Sequence, residues 1–182
     1  GVPATYVFLD RARHLLVRAG LREVQAIPFA SEADLLLTGD TDAIRITNPV
    51  QADEGWLRTR LLPGLLRTVR RNLHRQVRSV GLFEVGTVFG MVEGDPRERP
   101  MAAFAMTGVA DAGWTGGGRT FDFFDAKGAV ETMLAELGVP WSLGEPLGRP
   151  YHPGRSAGVV VGGTVVGSLG ELHPSVAASL DL

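Results

Sequence analysis

The sequence of 182 residues contains no cysteine. A disulfide framework, a thiolate zinc site and a cysteine nucleophile are therefore excluded. No apolar run approaches the roughly 20 residues that a membrane-spanning helix requires, so we expect no role at a membrane. The first residues also lack the basic and apolar pattern of a signal peptide. These absences are typical of a protein of the reducing cytosol, and we predict a cytoplasmic location.

An excess of charge of one sign is also missing. The formal net charge is −2 and Lys127 is the only lysine, so the global charge gives no argument for nucleic-acid binding. The composition, with 45% hydrophobic and 21% charged residues, is that of an ordinary globular protein. We predict a single module over residues 1–182. Because the chain starts at Gly1 rather than at methionine, we expect it to be an excised part of a longer protein.

The most informative stretch runs from Asn48 to Phe89. Within it, a set of apolar residues recurs at every fourth position: Leu61, Leu65, Val69, Leu73 and Val77. This spacing predicts a helix with one apolar face. Seven arginines lie between Glu54 and Glu84 with no acid among them: Arg58, Arg60, Arg67, Arg70, Arg71, Arg75 and Arg78. One face of the helix therefore needs a packing partner, and the other is cationic.

The remaining patterns predict an α+β fold, in which an antiparallel or mixed sheet is flanked by helices. Further helices are expected at 3–19, 31–37 and 122–138, with a last short one from His173. The second of these begins with Ser31 and Asp34 in a pattern that resembles a capping box. Strands are expected at 23–30, 43–47, 80–92 and 101–109, with a hairpin at 157–169. Pro28 cannot donate to a strand ladder, which indicates an edge or interface strand at that point.

Two groups of residues suggest a site on or near the helix at 122–138. The run Gly116-Gly117-Gly118 can cradle a phosphate, but it lacks the Gly-Lys-Ser/Thr of a P-loop, and we favour a plain loop. Asp122, Asp125 and Glu131 can form an acid–base pair. The favourable position of acids at the positive end of a helix dipole is the simpler explanation for the first two.

The histidines and Ser156 are further candidates for a site. The four histidines have no metal-ligand spacing: His14, His74, His152 and His173. His152 lies four residues before Ser156, but this serine is not in a Gly-x-Ser-x-Gly elbow, and His-Pro-Gly is typical of a turn. We therefore assign no catalytic, metal or cofactor-binding residue to these 182 residues.

Two interpretations of the arginine-rich helix remain open. Five of its arginines can contact RNA phosphates or pair with the carboxylates of a partner protein: Arg67, Arg70, Arg71, Arg75 and Arg78. No aromatic side chain for base stacking lies between Trp56 and Phe83. Partner contact or simple solvation is thus favoured, and an RNA-contacting module is the alternative.

Several blocks, taken in order, resemble the β subunit of bacterial phenylalanyl-tRNA synthetases. They cover most of the chain: Asn48-Pro49, Leu57-Arg58, Leu61–Leu66 with Asn72 and Arg75, Leu82–Phe89, Phe124–Glu131, His152–Ala157 and Val166–Pro174. The resemblance implies a fold like the catalytic domain of class II aminoacyl-tRNA synthetases. It also implies a part of phenylalanine–tRNA ligase, an enzyme of protein synthesis that aminoacylates tRNA(Phe).

The same resemblance implies that this module is not itself catalytic. An active class II site needs two arginines, on a Phe/Tyr-Arg-x-Glu strand and on a late glycine-rich strand, to hold ATP phosphates. Neither Leu82–Val85 nor Gly167–His173 contains one. ATP, magnesium and tRNA(Phe) would then be bound elsewhere in the enzyme, with no cofactor in this part. An active transferase of the same fold, similar to biotin ligases, is disfavoured on the same grounds.

The partner implied by the resemblance is the catalytic α subunit, in a heterotetramer of two α and two β chains. Residues 1–29 resemble class II motif 1, a helix and a proline-containing strand that build a dimer interface. The interface residues expected from this are Tyr6, Leu9, Leu16, Val24, Ile27, Pro28 and Phe29. Without α, this apolar surface is expected to self-associate.

Overall fold

The computed structural model describes residues 3–110, 118–146 and 148–182. Most of the glycine run 116–118 lies outside the described residues. In chain order the elements are α1 (Ala4–Arg18), β1 (Arg22–Glu23), β2 (Phe29–Ala30), α2 (Glu32–Thr38), β3 (Trp56–Leu57), α3 (Leu62–His74), β4 (Val80–Val92), β5 (Asp95–Thr107), α4 (Phe123–Glu136), β6 (Ser142–Gly144), β7 (Tyr151–Val161), β8 (Thr164–Leu172) and α5 (Pro174–Ser179).

The strands form three sheets, with strand orders β1-β4-β5, β2-β3 and β6-β7-β8. The pair β1–β4 is parallel, whereas β4–β5 and β7–β8 are antiparallel hairpins. The hairpin β4–β5 is the longest and pairs Val80 with Thr107 at its base and Val92 with Asp95 at its tip. The predicted α+β architecture with a mixed sheet and flanking helices is confirmed.

Strand β4 is the centre of the molecule because both of its faces are covered. Successive side chains of a strand point to opposite faces. Phe83 and Val85 pack with Leu16 of α1 on one face, whereas Leu82 packs with Leu65 of α3 on the other. The prediction that this strand is buried on both sides is confirmed for its first half, while its last two residues are exposed.

Helix α3 has the predicted apolar face but ends earlier than predicted. Leu65 and Val69 are buried, whereas Leu73 is half-buried and Val77 lies exposed beyond the helix. Gln76 adopts φ 64°, a left-handed conformation that ends a helix. The spacing of apolar residues continues past this point, but the backbone does not follow it.

The capping box of Ser31 and Asp34 was predicted, whereas for Asp122 and Asp125 only their position at a helix start was predicted. Ser31 and Asp34 form a reciprocal capping box at α2, and Asp122 with Asp125 form another at α4, which satisfies backbone N–H groups that no helical bond reaches. The turn at Gly162–Gly163 has φ 58° and 79°, as a primed hairpin turn requires.

Three strand predictions were wrong. Residues 43–47 form only an isolated bridge between Arg45 and Trp56. The expected strand 23–30 divides into β1 and β2, with Pro28 between them, and β5 begins at Asp95 rather than at 101. Alternating apolar residues indicate a strand, but they do not show whether a neighbouring strand is present to pair with it. None of the helices described is long and apolar enough to cross a membrane.

Candidate functional site

Arg58, just after β3, makes the most buried ion pair among the described residues. Its Nη1 lies 2.6 Å from Oε1 of Glu84, and the two side chains are 11% and 2% exposed. The guanidinium also donates from Nε to the carbonyl oxygen of Thr87 at 2.9 Å and from Nη1 to that of Ala26 at 3.2 Å. One side chain thus connects β4 with the segment between β1 and β2.

The backbone of Arg58 reinforces these contacts. Its N–H donates to the carbonyl oxygen of Pro28, and its own carbonyl oxygen accepts the N–H of Phe89, both at 2.9 Å. Close to the guanidinium lies Gly86, where an added Cβ would come within 2.6 Å of Nη2 of Arg58. Glycine at this position is therefore what leaves room for the ion pair.

Sequence reasoning did not single out Arg58, because it looked like one more member of the cationic series. The sequence does contain one indication of a buried ion pair, because Glu84 is the one acid in an otherwise apolar strand. A carboxylate that enters a core requires a cation or several donors. Nothing in the sequence indicated which of the seven arginines would supply it.

A cavity of about 280 Å³ lies between β5 and β8. Its lining residues come from α3, β5, the start of α4 and β8, together with single residues elsewhere: Leu62, Leu66, Val69, Phe104–Thr107, Phe121, Asp122, Ala126, Tyr151, Ser168–Leu172, Ala177 and Leu182. Among the described residues, no lysine, arginine or histidine contributes to this lining. The ionisable groups that do are two carboxylates and a phenol. Such a lining opposes the binding of a triphosphate.

The carboxylates beside the cavity are already engaged. Asp122 accepts the backbone N–H of Phe124 at 2.8 Å, and Glu171 accepts from Nε of Arg155 at 2.5 Å. Nearby, the hydrogen bonds from Arg119 lower the pKa of Asp125 to about 2. The prediction that Asp122 and Asp125 belong to a helix start, rather than to an acid–base pair, agrees with their capping box.

Acids from elsewhere in the fold neutralise part of the arginine series. Arg60 makes a bidentate pair with Asp40 at 2.8 Å. Arg67 lies 2.5 Å from Asp34, and Arg70 makes a long pair with Asp181 at 3.9 Å. Burial acts to raise the pKa of Asp40, but the hydrogen bonds from Arg60, Thr38 and Thr59 outweigh it and lower the pKa.

The remaining arginines lie at and beyond the C-terminal end of α3. Arg71, Arg75 and Arg78 are exposed and make no ion pair within the described part of the chain. They form the arginine cluster, a name used below for these three residues. The helix predicted to be cationic along one whole face is therefore cationic mainly at one end.

The histidines form no metal centre, since no group of three or more potential ligands occurs in residues 3–110, 118–146 and 148–182. His14 lies beside Asp10 and His74 beside Asp181. His152 accepts the backbone N–H of Gly154 through Nδ1. The hydroxyl of Ser156 donates to the His152 carbonyl oxygen rather than to its ring, so the two residues form a turn and not a nucleophile pair.

Comparisons with known proteins agree on one family. The family model described as the phenylalanyl tRNA synthetase beta chain CLM domain matches residues 2–182. The chain belongs to this family. A phenylalanine–tRNA ligase β subunit from Symbiobacterium thermophilum is 46% identical over 175 residues, which cover 91% of this chain and 20% of that protein. The corresponding subunit from Hahella chejuensis is 36% identical and matches all of this chain and 23% of its own length.

The solved structures confirm the class II fold. Pyrrolysyl-tRNA synthetase from Desulfitobacterium hafniense superposes with a TM-score of 0.69 over 99% of this chain and 63% of that one, at 14% sequence identity. This similarity concerns the fold alone. The chain spans about a fifth to a quarter of the length of the phenylalanine–tRNA ligase β subunits that it matches.

The residues predicted for a subunit interface are found in different environments. Leu16 is 1% exposed within the core around β4, so it offers no surface to a partner and its assignment was wrong. Tyr6 and Ile27 are exposed. The others are half-buried: Leu9, Val24, Pro28 and Phe29.

Three further apolar residues of α1 are exposed and were missed by sequence reasoning. Val7, Phe8 and Val17 are each about half exposed. The helical period identified the apolar side of α1 that packs on β4. It gave no signal that other apolar residues of this helix stay exposed, because nothing in the sequence indicates how much of the helix the sheet covers.

We predict that Arg58→Met lowers the free energy of unfolding by about 3–5 kcal/mol, because it leaves the Glu84 carboxylate buried without a partner. Chemical denaturation measures this change. The double variant Arg58→Met/Glu84→Leu should recover part of the loss, since no buried charge remains. The control Arg155→Met removes a partly exposed pair and should cost at most about 1 kcal/mol. Equal losses in the two single variants would contradict the central role of Arg58.

Proposed function

We propose that this chain is a non-catalytic assembly module of the β subunit of a cytoplasmic phenylalanine–tRNA ligase. It pairs with the catalytic α subunit in a heterotetramer of two α and two β chains. Membership of the β-chain family supports the assignment to this enzyme, and exposed apolar side chains support the assembly role. ATP, magnesium, phenylalanine and the acceptor end of tRNA(Phe) are bound outside these 182 residues.

The observation that carries this proposal is the number of large apolar side chains that α1 exposes. Four on this helix and one after β1 are each between 47% and 59% exposed: Tyr6, Val7, Phe8, Val17 and Ile27. A soluble monomer rarely exposes many large apolar groups on one element, and such groups mark contact surfaces. We name these five residues the α1 surface.

The absence of a catalytic role is supported by the charges around β4 and the cavity. The developing charge of an adenylation reaction needs cations that are free to bind phosphate. Arg58 reaches β4, but its charge is paired with Glu84, and Glu84 and two carbonyl groups occupy its Nε and Nη1 donors. The cavity has an apolar lining with two carboxylates among the described residues. Neither place offers a free cation to a nucleotide.

The alternative, an RNA-contacting module, retains one supporting observation. The arginine cluster projects from the end of α3, where its charge is not compensated by an acid of the described chain. Of the five arginines first considered for RNA contact, Arg67 and Arg70 are paired with acids, so the alternative now depends on three. This role is compatible with assembly, because α1 and α3 lie on opposite faces of β4.

We predict that Val7→Asp and Val17→Asp in the β subunit each weaken its association with α by about tenfold or more, because a carboxylate is costly to bury in an apolar contact. Analytical ultracentrifugation or co-purification of the two subunits measures this change. Leu36→Asp is the matched control, since Leu36 is 75% exposed on α2. Unchanged association in both α1 variants would remove α1 from the interface.

A second prediction concerns chemistry. The β subunit without α should show no phenylalanine-dependent exchange between ATP and pyrophosphate, because neither β4 nor the cavity offers the phosphates an unpaired cation among the described residues. The complex of α and β is the positive control in the same assay. Exchange by β alone would show that the module is catalytic.

The RNA alternative predicts a specific salt dependence. If Arg75 contacts a phosphate of duplex RNA, Arg75→Gln should reduce the slope of log affinity for tRNA against log salt by about 0.9. The matched control is Arg99→Gln, on the exposed half of β5. Equal slopes for the two variants and the unchanged subunit would eliminate the arginine cluster as an RNA contact.

A further inference from the structure

Arg13 is the side chain that connects α1 to the sheet through polar contacts. Its Nε lies 2.9 Å from Oε1 of Glu23 in β1, and its Nη2 donates to the carbonyl oxygen of Val85 in β4 at 3.0 Å. The other side-chain hydrogen bonds of α1 in the described part of the chain go to α4 or stay within the helix. The assembly role as stated so far gives Arg13 no part.

The apolar contacts of α1 constrain the helix in a different way. Leu16 packs with Phe83 and Val85, and the burial of apolar surface has no preferred direction. A hydrogen bond requires a defined distance and angle between its groups. The two bonds of Arg13 therefore add a directional constraint on α1 that apolar burial does not supply.

The short length of β1 explains why β4 has a carbonyl group available to Arg13. Strand β1 pairs with β4 only through Arg22 and Glu23, which lie opposite Leu82 and Phe83. The carbonyl oxygen of Val85 thus lies beyond the end of β1. Arg13 donates to it where a longer neighbouring strand would otherwise donate, so that a side chain of α1 takes the place of a strand at this point.

The position of Arg13 relates these bonds to the α1 surface. Tyr6 lies seven residues before Arg13 and Val17 four residues after it, so the three lie along one stripe of the helix. Ile27, the one member of the α1 surface outside the helix, follows Glu23 by four residues. The α1 surface therefore comes from two segments of the chain, and the ion pair of Arg13 with Glu23 joins them.

We propose that Arg13 is a positioning residue for subunit assembly, which holds α1 and the segment after β1 in the arrangement that the α subunit binds. This role rests on the proposed assembly function and adds to it a residue that acts through others. A preorganised surface binds more tightly, because less conformational freedom is lost on association. Where only a fraction of the free subunits has the competent arrangement, the apparent affinity falls in proportion to that fraction.

The test is Arg13→Gln in the full-length β subunit, which removes both the charge and the reach of the side chain. Association with α, measured by analytical ultracentrifugation, should weaken about fivefold or more, as expected if at most about a fifth of the variant molecules keep α1 in place. Arg22→Gln is the matched control, because Arg22 is exposed and makes no ion pair among the described residues. Equal association of the two variants would overturn the proposal.

Hydrogen exchange in the β subunit without α separates positioning from direct contact. If Arg13 positions α1, the amide groups of this helix exchange faster in Arg13→Gln than in Arg22→Gln, although no partner is present. Equal exchange in the two variants would show that Arg13 acts by touching α, and would overturn the positioning role. Both variants should fold, since the Arg13 and Glu23 side chains are only partly buried, at 28% and 35% exposed.

Glu23→Ala tests the same ion pair from its other end. It removes the carboxylate that Arg13 contacts, lies outside the α1 surface, and should also weaken association; it serves as the single variant if Arg13→Gln does not fold. Because the two side chains act as one unit, Arg13→Gln/Glu23→Ala should weaken association no more than Arg13→Gln alone. Losses that add in full would mean that the two residues act separately, and would overturn the proposal.

The variants Val7→Asp and Val17→Asp distinguish a failure of the positioning role from a failure of the proposed function. If they weaken association whereas Arg13→Gln does not, the α1 surface stands and the positioning role alone is wrong. If they leave association unchanged, α1 is not at the interface, and the positioning role fails together with the assembly surface on which it rests.

Discussion

The ion pair between Arg58 and Glu84 is the interaction on which the rest of the structure depends. A charge as buried as that of Glu84 is tolerated only with a well-placed partner, because desolvation offsets most of the attraction between the two groups. The main effect of the ion pair is therefore to fix the positions of the segments that it joins, rather than to add net stability. By donating to Glu84, Thr87 and Ala26 at once, Arg58 sets the path of the chain beside β4.

The functional consequences depend on which arginines are paired with acids of the same chain and which are not. An arginine beside a central antiparallel strand would suit a phosphate, but this one is enclosed by the acid and carbonyl groups of its own fold. Other arginines pair with Asp40 and Asp34, which leaves positive charge at one end of α3. The groups proposed for partner contact are thus the exposed apolar side chains of α1 and, across β4, the arginine cluster. The two proposed kinds of contact lie on opposite faces of β4.

Sequence patterns predicted the structure well where the cause is local. The capping box of Ser31 depends on a residue only three positions away, and the glycine pair in the β7–β8 turn depends on its own φ angles. The patterns were wrong where a distant neighbour decides. Residues 43–47 have the alternation of a strand but form only one bridge, and Leu16 carries an interface-like pattern although β4 covers it.

The sequence by itself determined the family, the α+β class, the apolar face of α3 and the absence of arginine from β4. These properties depend on residue identity and short-range spacing, which the chain displays directly. Only the tertiary structure decided which arginine neutralises Glu84 and which apolar side chains of α1 remain exposed. Each of these depends on residues far apart in sequence, Arg58 and Glu84 for example, whose meeting is fixed by how helices and strands pack and not by any local pattern.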